Sequence, residues 1–87
     1  TVAADPLIVL NRNAAGANVN DIGLIFERGA STNVAMIYDE SADEFAFVST
    51  TESGSTVGNV SITAYSTLRT AITHAGNLRI DTNQITA

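Results

Sequence analysis

Four carboxylates fall within one short run at Asp39, Glu40, Asp43 and Glu44, the densest group of ionisable side chains in the chain. Carboxylates at this density suit a hard cation such as calcium, or general acid–base work on a glycoside. A glycosidase needs two carboxyls about 5–10 Å apart across a cleft, and the ligand intervals of an EF-hand are missing here. The run reads instead as a hairpin turn with solvated charges, so the four acids are a weak metal candidate. Hydrolysis would require Asp81 or Glu52 to be carried against them from a neighbouring subunit. The single histidine, His74, has no Glu or His at ligand spacing and reads as a surface or turn residue. No GxSxG surrounds the serines, and Gly54 and Gly58 lack the lysine and helix of a phosphate loop. The expectation is a protein that is not an enzyme and carries no cofactor. Tyr38 and Tyr65 are the candidate contact residues for a ligand, because a phenol is rigid and ends in a hydrogen-bonding tip.

The elements around these residues read as strands. In Ile22 to Glu27, Ile22, Leu24 and Phe26 share one face and Gly23, Ile25 and Glu27 the other. Gly23 inside a strand marks a bulge or a close backbone approach. Arg28 to Asn33 is a turn, and Gly29 supplies a positive φ if the turn needs one. Val34 to Asp39 follows, then the turn Glu40 to Asp43, then Glu44 to Ser49 with Phe45 and Phe47 on one face. Asp21, Glu27 and Arg28 invite an ion pair, within the hairpin or between subunits. The core expected from side-chain size is Ile22, Leu24, Phe26, Met36, Phe45 and Phe47, so that Phe45→Ala would cost about 3–5 kcal/mol.

Outside this meander, Asp5-Pro6 opens a run, Leu7 to Leu10, that is apolar on both faces and reads as a strand covered by subunit neighbours. Arg12 to Asn20 is a loop, as is Thr50 to Asn59. Val60 to Tyr65 alternates as a strand. Ser66 to Ile72 is ambiguous between a capped helical turn and extension, and Asn77 to Ile80 is a last short strand. A start at Thr1 and an uncapped Asp81 to Ala87 suggest a segment of a longer chain. The whole is expected to be one small all-β module, residues 1–87, of short antiparallel strands and hairpins in a meander or small sandwich.

Composition bounds the partners. Thirteen of the 87 residues are alanine and only five are aromatic, so large core side chains are scarce. A chain of this length buries only about 60% of its unfolded surface. With no cysteine to staple it, it is expected to recruit a partner surface, which makes self-association the first structural inference. The net charge of −5, with four arginines and no lysine, argues against nucleic acid and against anionic membranes.

The stretches ADPLIVLNRNAAG and DIGLIFERGASTNVAMIYDESADEFAF resemble a recurrent module of structural and tail-fibre-like proteins of tailed bacteriophages, marine ones especially. The resemblance covers Ala4 to about Ser49, weakens through TTESGSTVGNVSITAYSTLRTA and recovers in AGNLRIDTNQITA. It implies a virion structural component that assembles as a homotrimeric β-fibre with other virion proteins, with no catalytic residue to carry over. The alternative is a module that binds a glycan or protein on the host surface.

Overall fold

Alternation of large and small side chains along three consecutive segments carries the main sheet. The computed structural model describes residues 2–55 and 57–82, and residues 84–86 by backbone alone. Thr56 of the expected loop, Asn83 and Ala87 of the expected tail, and Thr1 lie outside the described residues. Strands β1 (Ile22–Phe26), β2 (Asn33–Asp39), β3 (Glu44–Thr50) and β4 (Ile62–Tyr65) form a sheet in that order. A second sheet contains β5 (Ile72–Ala75), β6 (Leu78–Asp81) and β7 (Gln84–Thr86), again in chain order. Every pairing is antiparallel, and the described residues contain no helix. The all-β meander is therefore as expected. Ser66 to Ala71 takes no helical turn and connects the sheets. No strand of one sheet contacts a strand of the other among the described residues.

The turns follow from residues that accept left-handed backbone. Gly29 adopts φ 65° in the β1–β2 turn, and Asp43 adopts φ 57° ahead of β3. Gly23 serves a different need. A Cβ at this position would lie 2.1 Å from the Met36 carbonyl oxygen and 2.7 Å from Ile37 Cα. The obstacle is backbone, so β1 sits this close to β2 only because residue 23 has no side chain.

The single chain departs from two sequence expectations. First, the core lies on the opposite face from Ile22, Leu24, Phe26, Met36, Phe45 and Phe47. The buried cluster is Ala35, Ile37, Ala46 and Val48, with Ile25, Val60 and Ile62 packed against it. Leu24, Phe26, Met36, Phe45 and Phe47 are all exposed, Phe45 by 78%, and Ile22 is half-buried. The reason lies in what covers the sheet. Glu52 to Gly54 and Val60, from the connection between β3 and β4, border this face together with Gly23, Ile25 and Ile37, and Val60 packs against its core. Buried polar side chains at the rim meet that backbone: Asn33 Nδ2 donates to the Glu52 carbonyl at 3.1 Å, and the Glu52 amide donates to Thr50 Oγ1 at 3.0 Å. A bulge helps, since Ser49 pairs with Ala64 but Thr50 pairs with Ile62. The extra residue, Thr63, turns Ile62 onto the covered face.

Second, Leu7 to Leu10 is not a strand, and its own chain does not cover it. Leu7, Ile8 and Val9 are more than 70% exposed, and Leu10 is 42% exposed. Without a neighbouring edge to satisfy its amides and carbonyls, an extended apolar run has no ladder to join.

Replacing Gly23 with alanine is expected to lower the unfolding free energy by about 2–3 kcal/mol, the scale of a steric insertion into a packed site. Ile37→Ala should cost about 2–5 kcal/mol as a buried truncation. Phe45→Ala should cost far less than the core estimate in the unassociated chain. Urea unfolding of the three variants checks the order.

Candidate functional site

The register places Ile22, Tyr38 and Phe45 in one cross-strand row and Leu24, Met36 and Phe47 in the next. Both rows stand on the face that the β3–β4 segment leaves open. Ile22, Leu24, Met36, Tyr38 and Phe45, joined by Leu10 from the N-terminal arm, line a groove of about 280 Å³ with almost no polar lining. The Tyr38 and Phe45 rings meet edge to face, with centroids 5.0 Å apart and planes at 81°, a favourable aromatic geometry. The Tyr38 hydroxyl donates to Asp43 Oδ1. Its pKa is raised above the ordinary 10.0, first by this hydrogen bond, then by partial desolvation and the charges of Asp43 and Glu40. Apart from that hydroxyl, the groove is lined by apolar side chains. It can remove apolar surface from water.

The opposite face holds a second cavity of about 360 Å³, bordered by Asp21, Glu27 and Glu52 with Gly23, Ile25 and Val60. These carboxylates hold backbone. Asp21 Oδ1 accepts from the Glu40 amide at 2.9 Å, and Oδ2 accepts from the Val60 amide at 2.6 Å. The Asp21 amide donates to the Gly58 carbonyl at 2.9 Å. Glu27 accepts from the Gly29 amide and from Asn33 Nδ2, and Glu52 Oε1 accepts from the Ser61 amide. The Arg28 guanidinium donates to the Thr32 carbonyl at 2.8 Å. The expected ion pairing of Asp21, Glu27 and Arg28 is thus replaced by contacts to the main chain and Asn33.

The acidic turn is likewise divided among separate partners. Asp39 is buried and accepts from Ser41 Oγ and the Ala42 amide. Glu40 accepts from Asn18 Nδ2 at 3.1 Å, Asp43 takes the Tyr38 hydroxyl, and Glu44 is exposed. No group of three or more acidic, cysteine or histidine side chains among the described residues is placed to hold a metal. Asp81 pairs with Arg79 at 3.1 Å in the second sheet, away from the turn, and His74 is exposed opposite Arg79.

The two tyrosines are not brought together. Tyr38 belongs to the open apolar face, whereas Tyr65 ends β4 opposite Val48 and is 68% exposed. Sequence reasoning missed Asp21 as the residue that ties three backbone segments. No sequence signal marked it, because the amides it accepts lie 19 and 39 residues further along the chain.

The chain matches no family model, no curated protein and no solved structure.

Asp21→Ala would strand the Glu40 and Val60 amides and is expected to cost about 1–3 kcal/mol for the unsatisfied groups, measured by urea unfolding. A second test follows from Tyr38. A phenol whose pKa is raised on folding adds stability below its ordinary value, and loses it as pH rises through the raised one. In a Tyr65→Phe background, absorbance titration should show Tyr38 ionising above 10.0. Asp43→Gly, which keeps the left-handed turn, should return the midpoint toward the ordinary value.

Proposed function

We propose that this chain is a self-associating structural module of a tailed-phage appendage, a tail fibre or a related fibre, with a mechanical role and no enzymatic activity. The observation that carries the reading is the open apolar face, in a chain that exposes far more surface than its mass requires. The accessible surface is 7093 Å², whereas a folded monomer of 9.1 kDa is expected to expose about 4,900 Å². The excess of about 2,200 Å² per chain exceeds the ~800 Å² per partner of an ordinary interface and suits an obligate assembly. The radius of gyration of 15.6 Å, against about 12 Å for a compact chain of this length, points the same way.

The phage assignment rests on the resemblance over Ala4 to about Ser49, and the all-β meander suits it. In this reading the copies form a homotrimer held in the virion by other structural proteins. Shape and rigidity come from packing between chains. The alternative, a host-glycan or protein-binding module, draws less support. It would use Tyr38 or Tyr65, which the sheet does not gather at one groove: the Tyr38 hydroxyl already serves Asp43, and Tyr65 stands exposed at the end of β4.

Light scattering across a range of protein concentrations is expected to give three times the 9.1 kDa chain mass or a larger closed assembly. A monomer at every concentration would overturn the reading. Antibodies against the module should label appendages on the tailed particles that encode it, and unlabelled particles would remove the virion assignment.

A further inference from the structure

We infer that the open face of β1–β3 is covered by the N-terminal arm, Leu7 to Leu10, of a second copy of this chain. The inference rests on the self-association proposed above and names the contact that performs it. Receiver and donor are both on the same molecule. The receiver is the groove lined by Ile22, Leu24, Met36, Tyr38 and Phe45, whose walls are almost wholly apolar. The donor is four consecutive apolar residues that belong to no strand, the first three more than 70% exposed.

Their dimensions match. Four extended residues reach about 13 Å, and three strands spaced about 4.8 Å apart present a face about 10 Å across. The arm also begins beside its target, since Leu10 lines the groove of its own chain while Leu7, Ile8 and Val9 point into solvent. The arm therefore leaves its own groove unfilled, and a copy placed alongside can fill it. Left-handed Asn11 (φ 58°) and Asn13 (φ 70°) set the angle at which the arm leaves the body, and asparagine accepts that backbone more readily than most residues. A donor that reaches to the next copy, whose own arm reaches onward, makes a head-to-tail contact. Such contacts close into a ring when the rotation permits, three copies being one solution.

The absence of cysteine from the chain makes disulfide trapping clean. Copies carrying Ile8→Cys with one tag would be mixed with copies carrying Leu24→Cys with another, oxidised and read on a gel. Thr67→Cys serves as a partner off the face, and the mass of each mixture is followed by light scattering. The expected result is a mixed-tag disulfide with Leu24→Cys at least tenfold above that with Thr67→Cys. Val9→Asp copies, altered only at an exposed arm residue, should lose assembly while keeping the fold by circular dichroism. Assemblies that persist with trapping at the Thr67→Cys level would overturn arm exchange and leave self-association standing. A chain carrying both Ile8→Cys and Leu24→Cys that closes only on itself would also overturn it. Monomers throughout would remove both proposals.

Discussion

The Asp21 carboxylate is the constraint on which the main sheet depends. One oxygen holds the amide that begins the β2–β3 turn and the other holds the amide of Val60, 39 residues later in sequence. The amide of the same residue holds Gly58. These contacts hold the end of the β3–β4 connection on the Gly23, Ile25 and Ile37 side of the sheet, where Val60 packs against the core. Hydrogen bonds to a charged acceptor are stronger than neutral ones. Here they also supply partners to backbone that would otherwise approach an apolar sheet with its donors unmet.

Choosing that face leaves the larger side chains outside. The buried set consists of two alanines, one isoleucine and one valine with three polar residues at its edges, a small core for the length of chain it must order. Area alone does not convert to affinity, but a face of rings, leucine and methionine without charge is the composition found at the centre of interfaces. The same residues that look misplaced in one chain are in their ordinary environment between chains.

Much of the local structure was legible in the sequence. Alternation from Ile22 to Ser49 gave the three strands of the meander, and Gly23 marked a close approach that the Met36 carbonyl explains. Parity also grouped the right residues together. What parity could not say was which group faces inward, because side-chain size favours the rings while the β3–β4 connection is hydrogen-bonded to Asp21, Asn33 and Thr50 on the other side. Leu7 to Leu10 misled only as to the strand: apolar content reports a preference for burial and is silent about whether a neighbouring edge exists for the backbone to pair with. The acids at Asp39 to Glu44 were rightly placed in a turn, but their separate partners depend on Asn18 and Tyr38, contacts that sequence spacing does not encode.

The join between the two sheets has a consequence for descent. Ser66 is held to the first sheet through its amide on the Phe47 carbonyl, and Thr70 to the second through its hydroxyl on Thr73. Between them lie Thr67, Leu68 and Arg69, all exposed, and no strand-to-strand contact crosses. Boundaries of this kind can be cut and rejoined without repacking either side. Recombination at this seam would exchange one β-meander for another in a single event, letting the two halves of the chain carry separate lineages.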